Sequence, residues 1–378
     1  MTARPVMLVA GEISGDMHAA RLVRELRARR PDLAFFGIGG PALRQAGMET
    51  VADINEMAVL GVSEVLWKYF FFRNVFNRVL RLARERRPQA VILVDYPGFN
   101  LRLAKRLRAM GLKVLYYVCP QVWAWNRGRI PRMARDVDRL MAIFPFEKEV
   151  FSGSRLRVDF VGHPLRESAD ETLAEQAPDL PWQGSPRLAI LPGSRRHEIR
   201  RILPPLWAAA GILARRNPGL GVIVATPSDD ISRDVRRRIA DLPPGPPRHA
   251  VISGCARQIL RQADAALIAS GTATLDAAFM RCPMVIAYRV SWLTYLPGRM
   301  LIRVPFLGMV NVLARRRICP EFIQHNARPG AIADAAEPLL SDTPERRTML
   351  AELDKIVASL GPAGCAGRAA DVVMEELA

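Results

Sequence analysis

Val6-Met7-Leu8-Val9-Ala10-Gly11-Glu12-Ile13-Ser14-Gly15-Asp16 stands near the start of the chain. Its first five residues are a short apolar run of strand type, and the rest is a polar loop carrying two glycines. Residues 17–30 then place Ala20, Val23 and Leu26 on one helical face, with arginines on the others. Strand, loop and helix in that order are the first half of a βαβ unit. The pattern returns along the sequence. Leu33–Ile38 ends at Gly39-Gly40-Pro41, Gln89–Val94 is closed by Asp95-Tyr96-Pro97-Gly98, and Lys113–Val118 by Cys119-Pro120. After a polar stretch punctuated by Pro178, Pro181, Gly184 and Pro186, alternation resumes. Arg187–Leu191, Gly221–Ala225, 249–251, Ala265–Ile268 and Met284–Ala287 read as strands, with helices at 197–216 and near 229–240. Strands separated by helices imply parallel sheets. With 378 residues the chain exceeds what one core usually holds. The expectation is an α/β protein of two Rossmann-like domains facing each other across a cleft: 1–165, a linker at 166–186, and 187–355. The tail is mostly helical, and its apolar face (Ile332, Ala336, Leu339, Leu340, Met349, Leu353, Ile356) needs a surface to cover.

Charge narrows the function. Lys plus Arg total 54 against 37 Asp plus Glu, a net +17 that favours nucleic acid, anionic lipid surfaces or phosphorylated substrates. The basic residues are spread over many helices without an arginine-rich tail or zinc-finger spacing, so no nucleic-acid partner is expected. Five cysteines far apart form no disulfide framework and suit a reducing compartment. The histidines (His18, His163, His197, His249, His325) are dispersed, and no paired carboxylates offer a metal site; neither metal nor cofactor is expected. No charged start followed by an apolar core suggests a signal peptide, and no apolar run reaches the ~18 residues of a membrane span.

Four polar loops occupy strand ends, where parallel sheets collect ligands. In Gly11–Asp16 the glycines allow close backbone approach and the following helix offers free amides to an anion, though a tight structural turn explains the loop equally. Neither the dinucleotide spacing nor a Gly-Lys-Ser/Thr triplet is present. Asp95 follows Val91-Ile92-Leu93-Val94, so its carboxylate is either a general base or a turn cap. Asn100 is expected only to cap the next helix. Pro192-Gly193-Ser194-Arg195 precedes a helix with Glu198 in its first turn; dipole, amides and guanidinium suit an anion, and a plain surface loop is the alternative. Ser270-Gly271-Thr272-Ala273-Thr274 repeats the small, hydroxylated pattern, with Asp276 one turn on to accept from ribose. Two such loops in one half of the chain point to a diphosphate.

Residues 62–87 carry more aromatics than one inward face (Val65, Leu66, Tyr69, Phe72, Phe76, Val79, Leu80) uses. Trp67, Phe70 and Phe71 remain beside Lys68, Arg73 and Arg78, which suits an interfacial helix on anionic lipid or a buried contact between domains or subunits. Residues 290–307 mix Trp292, Tyr295, Leu296 and Phe306 with Arg299 and Arg303 in the same way.

In this order, the loops resemble those of the lipid-A-disaccharide synthases. The resemblance spans nearly the whole chain. It rests on Ala10–Asp16, Ala58–Leu66, Tyr117–Trp125 with its Trp-Ala-Trp, Phe144-Pro145-Phe146-Glu147, Val161-Gly162-His163-Pro164, Leu191–Arg195, Ser270–Leu275, Pro283-Met284-Val285 and Pro320-Glu321-Phe322-Ile323-Gln324. It implies an inverting, metal-independent transfer from UDP-2,3-diacylglucosamine to 2,3-diacylglucosamine 1-phosphate (lipid X), giving a β-1,6 disaccharide phosphate and UDP. It implies a GT-B-like fold whose C-terminal helix, 356–378, crosses back to the first domain, with homodimers by C-terminal exchange in some members. It also implies a peripheral place on the cytoplasmic face of the inner membrane in a Gram-negative cell. Asp95 matches the family's essential aspartate. Gly193, Ser194, Arg195, Ser270, Gly271, Thr272 and Thr274 match the diphosphate side, Asp276 the ribose side, and Asn311 and Gln324 the rest of the nucleotide pocket. Gly11, Glu12, Ser14, Gly15 and Asp16 fall on the substrate side of the first domain.

The chain departs from the pattern in three places. Gly98 stands where many members have Asp, Asp276 where Glu is usual, and Arg315 replaces a glycine. An epimerase or hydrolase acting on a sugar nucleotide is the nearest other enzyme class. A non-catalytic membrane-surface binding protein is the alternative of a different kind.

Overall fold

Apolar runs become parallel strands, and one rule orders them twice. The structure is a computed structural model describing residues 5–54, 65–125, 127–291 and 304–378. Among these residues, one sheet holds β1 (Val6–Ala10), β2 (Phe35–Gly39), β3 (Glu49–Asp53), β4 (Val91–Val94), β5 (Val114–Tyr117), β6 (Arg139–Ala142) and β7 (Arg157–Phe160). Their order across the sheet is β3-β2-β1-β4-β5-β6-β7. The other holds β8 (Arg187–Leu191), β9 (Gly221–Thr226), β10 (His249–Ser253), β11 (Ala265–Ala269), β12 (Met284–Tyr288) and β13 (Glu321–Ile323), ordered β10-β9-β8-β11-β12-β13. The paired strands of both sheets run parallel. In each, the chain builds outward from its first strand and then returns to the other side. The order reverses between β1 and β4 and again between β8 and β11, and in such sheets a crevice opens at the carboxyl end of that reversal.

These two sheets belong to two compact units, Met1–Pro164 with Leu360–Ala378, and Leu165–Ser359. Sheets of this kind are covered on both faces, which is why β4 is an unbroken apolar run with all four residues at 0% exposure. Gly37 shows how tightly β1 and β2 meet: at φ +149°, a Cβ there would lie 1.9 Å from the Leu8 carbonyl oxygen. Within residues 166–186, the first part is helical (Leu165–Ala174) and belongs to the second unit.

Four strands are not foreseen from sequence, and each has a reason. β3 and β7 sit at sheet edges with only partial burial, so charged residues alternate into them. β13 is three residues long. β6 begins with an arginine. In the helix Val65–Arg86, Val75, Val79 and Ala83 are buried while Phe72, Phe76 and Leu80 are only partly covered. The inward stripe is therefore rotated by part of a turn from the expected one; Val65, Leu66 and Tyr69 fall outside the described side chains. Every apolar position expected to need cover in the tail is buried, from Ile332 to Ile356.

Arg139 explains both the odd strand and the last helix. Its side chain is 2% exposed, and Nε and Nη1 donate to Asp159 at 2.6 Å and to Glu375 at 2.7 Å. The bonds to Asp159 above all hold the guanidinium beyond its usual range. Helix Cys365–Leu377 thereby locks onto β6 and β7, and Arg29 reaches it too, donating to Asp371 at 2.6 Å. Removing a buried charge from such a network breaks several bonds at once. Arg139→Ala should lower unfolding free energy in urea by about 3 kcal/mol, the low end for buried pairs because the acidic partners keep some water. A loss below about 1 kcal/mol would contradict the assignment.

Candidate functional site

In the first unit, the loops after β1 and β4 flank the reversal. Asp95 and Tyr96 both adopt left-handed backbone, at φ +46° and +47°. Three neighbours hold this turn. The Asp95 amide donates to Tyr117 O at 3.0 Å, while its carbonyl accepts from the Tyr116 hydroxyl and from Asn100 Nδ2 at 2.8 Å. The Tyr96 ring lies against Gly11, where a Cβ would stand 2.3 Å from Tyr96 Cδ1. The half-buried Asp95 carboxyl is pushed up to about 6, first by desolvation and then by the negative Glu12, while the Tyr96 amide opposes the shift. Such a group is ionised at neutral pH yet basic enough to take a proton.

Asn100 does more than the capping expected of it. It is 0% exposed inside helix Pro97–Ala109, and Nδ2 also donates to Val94 O at 3.1 Å. It ties the end of β4 to the helix that follows.

Among the other expected residues of this unit, Glu12 and Ser14 are exposed at the start of helix Ile13–Arg29, with Gly11 and Gly15 buried behind them. Asp16 is 2% exposed, and its carboxylate accepts from the amides of Gly40, Ala42 and Leu43 at 2.6, 2.9 and 3.3 Å. It caps helix Pro41–Gln45 from a distance. Ile13 and Met17, one turn apart, are 65% and 52% exposed beside this loop. Phe70 is 54% exposed, whereas Phe71 is half-buried on the core with its ring 5.7 Å from Phe72. The side chain of Trp67 and residues 292–303 lie outside the described residues.

Sequence reasoning missed a buried acid. Glu147 is 0% exposed after β6, accepting from Phe144 N at 3.1 Å, Ile143 N at 3.2 Å and Trp123 Nε1 at 3.3 Å. Desolvation pushes it up to about 8, against the pull of those donors and the Cys119 thiol. Neighbouring His163 is 4% exposed and held down to about 3 by burial and by His18, so its imidazole is neutral; its ring is 5.1 Å from Phe144. The signal was present in Phe-Pro-Phe-Glu and Gly-His-Pro, but a lone acid among aromatics gives no spacing that separates a buried anchor from a surface residue.

In the second unit, the loops after β8 and β11 flank the other reversal. Gly193, at φ +116°, turns the chain so that the amides of Ser194 and Arg195 converge on Glu198 Oε2 at 3.2 and 3.3 Å. The Arg195 guanidinium, 68% exposed, meets the other Glu198 oxygen at 3.2 Å. A carboxylate of the chain itself thus occupies the anion position at the start of helix Arg196–Arg216. Opposite, Gly271 and Thr272 are exposed and the Ser270 hydroxyl donates to Leu307 O at 2.9 Å. Thr274 is buried, with its hydroxyl spent on Gly271 O at 2.8 Å. Asp276 pairs with Arg257 Nε at 2.7 Å, a partner not foreseen.

Asn311 and Gln324 are also turned inward. Asn311 receives the amides of Ile318 and Cys319, both at 2.9 Å, and donates to Cys319 O and Glu321 at 3.0 Å. Gln324 pairs through its amide with the backbone of Val290, at 2.8 and 3.1 Å. Thr274, Asn311 and Gln324 thus direct their side chains to the backbone and side chains of the second unit's own loops.

The buried acids give a sign that can be checked. Glu147 rises from an ordinary 4.5 to about 8 on folding, so its contribution is full below about 4.5 and is lost as pH climbs through 8. Melting temperature between pH 6 and pH 9 should fall less in Glu147→Gln than in the native protein. Equal falls in both would show that Glu147 is not buried as an acid.

The comparisons with known proteins follow this geometry. The family model Lipid-A-disaccharide synthetase matches residues 6–371. The lipid-A-disaccharide synthase of Myxococcus xanthus (strain DK1622) is 41% identical, covering 100% of this chain and 99% of the relative. That of Anaeromyxobacter sp. (strain K) is 40% identical, over 98% and 96%. Among solved structures, the S. aureus MnaA–UDP complex superimposes with a TM-score of 0.65 at 11% identity, over 98% of this chain and 95% of that one, a likeness of fold. Matched from its first strand into its last helix, the chain belongs to the lipid-A-disaccharide synthetase family.

Proposed function

We propose that this protein transfers 2,3-diacylglucosamine from its UDP conjugate to O6 of lipid X, releasing UDP, with Asp95 as the base. The observation that carries the reading is the raised, half-buried carboxyl at the end of β4, beside a reversal in strand order. Asp95 takes the proton of the acceptor hydroxyl as that oxygen bonds to the donor's anomeric carbon. The bond from that carbon to the diphosphate breaks on the opposite face, inverting the centre, and the proton passes to solvent.

Charge builds on the departing diphosphate. In this reading the Ser194 and Arg195 amides, the Arg195 guanidinium and the exposed Thr272, all in the loops at the second reversal, meet it. Glu198 has to give up those amides first. Arg257 holds Asp276 for the ribose side. Ile13 and Met17, in the first turns of helix Ile13–Arg29, offer apolar surface to the acyl chains.

Lipid X should be required for UDP release from the diacylated donor, which separates transfer from epimerisation or hydrolysis. Asp95→Asn should cut turnover by roughly 10²-fold or more with UDP affinity kept. Native turnover should fall as pH drops through about 6. Arg195→Ala should lose both turnover and UDP affinity, and Arg195→Lys should recover only part, since a point charge replaces a fork. Turnover of Asp95→Asn within threefold of native, or unaltered UDP affinity in Arg195→Ala, would defeat these roles.

No described helix is long and apolar enough to cross a membrane. We infer a peripheral place on the cytoplasmic face of the inner membrane, with exposed Phe70 beside exposed Arg73 and Arg78 as a contact. Phe70→Ser should sediment less with anionic vesicles at low salt while its melting curve stays unchanged. A lowered melting temperature with full sedimentation would instead make Phe70 a packing residue.

A further inference from the structure

One cavity of the second unit remains outside the loops assigned to the diphosphate. It has a volume of about 310 Å³ and lies between helix Arg196–Arg216 and the ends of β12 and β13. Arg200, Arg201, Arg289, His325 and Gln324 line it, Gln324 being the wall it shares with the nucleotide pocket that the resemblance implies, and among the described residues no carboxylate does. Three guanidinium groups around one small space repel one another at close range, and an anion relieves that repulsion.

The walls are held in advance. Arg289 Nε donates to Gln324 O at 3.2 Å, and Arg201 Nη1 to His197 O at 3.3 Å. Gln324 sits at φ +54°, a left-handed conformation for a non-glycine residue, fixed by the paired bonds from its amide to Val290. Strain of this kind persists where the surroundings over-determine it, and it marks built sites.

We propose that this cavity is a second anion site, which takes the 1-phosphate of the acceptor. The inference rests on the transfer proposed above. The donor's diphosphate has its place at the crevice between β8 and β11. β12 and β13 lie one and two strands to the side of β11, a displacement of roughly 5–10 Å at ordinary strand spacing. That is about the breadth of a sugar ring. In the reaction the acceptor's O6 meets the carbon bonded to the diphosphate, and its phosphate monoester stands at the other end of the same ring. Planar guanidinium forks suit such a group.

Initial rates with the full-length protein in neutral detergent micelles test it, using lipid X and the diacylated UDP donor. In an Arg200→Ala/Arg289→Ala variant, KM for lipid X should rise about tenfold or more, with donor KM and UDP affinity within about twofold of native. Glucosamine 1-phosphate should compete with lipid X in the native protein and lose that effect in the variant. Arg289→Lys alone should keep part of the affinity. An unchanged KM for lipid X overturns the proposal. So does an equal rise in donor KM, which would make the cavity part of the UDP site. A variant with native KM in micelles but weaker sedimentation with phosphatidylglycerol vesicles would assign the phosphate to a lipid headgroup instead, against the proposal. Failure of the underlying transfer shows differently: the native protein itself would release no UDP on addition of lipid X.

Discussion

The first unit's site depends on two consecutive residues held left-handed, Asp95 and Tyr96. Side chains other than glycine resist that conformation by roughly 1–2 kcal/mol each, so something must offset it. The offset is visible. The Tyr116 hydroxyl, Asn100 Nδ2 and the Tyr117 carbonyl all bond the Asp95 backbone, and net gains near 1 kcal/mol per bond match the strain. The turn that results sets the Tyr96 ring on Gly11 and keeps the Asp95 carboxyl half-buried near Glu12. The basicity of that carboxyl follows from this placement. An aspartate at the same position in a relaxed, solvated turn would titrate near its ordinary value and remove protons poorly.

Desolvation is used twice more in the same unit, with different consequences. Glu147 is kept as an acid among Phe144, Trp123 and Cys119, and His163 as a neutral base beside His18. For both carboxyls the sign is the same: folding favours the protonated form, so their stabilising share fades as pH rises, through about 6 for Asp95 and about 8 for Glu147. The turn therefore costs stability at the pH where the Asp95 carboxyl is ionised. In the second unit the problem is reversed. There the Glu198 carboxylate accepts from the Ser194 and Arg195 amides at the start of helix Arg196–Arg216.

Much of this was legible in the sequence because parallel sheets write themselves as apolar runs ending in polar loops. Val91–Val94 followed by Asp95, and Arg187–Leu191 followed by Gly193-Ser194-Arg195, gave both strand and loop. What sequence could not show was which polar side chains already bond the chain's own backbone. Asp16, Thr274, Asn311 and Gln324 each carry the right chemistry for a substrate and each spend it on amides or carbonyls. Partners distant in sequence were hidden for the same reason: Arg257 for Asp276, Tyr116 for the Asp95 carbonyl, Glu375 for Arg139. Edge strands such as β3 and β7 escaped because half of each is in water, and charge then interrupts the pattern.

The fold itself raises the Asp95 carboxyl by burying it near Glu12. The most direct measurement of this is the titration of the Asp95 side-chain carbon by 13C NMR, assigned by difference against Asp95→Asn. The midpoint should lie near 6 and move down when Glu12 is replaced by glutamine. A midpoint at the ordinary aspartate value near 4 would contradict it, because the turn would then confer no basicity on the carboxylate.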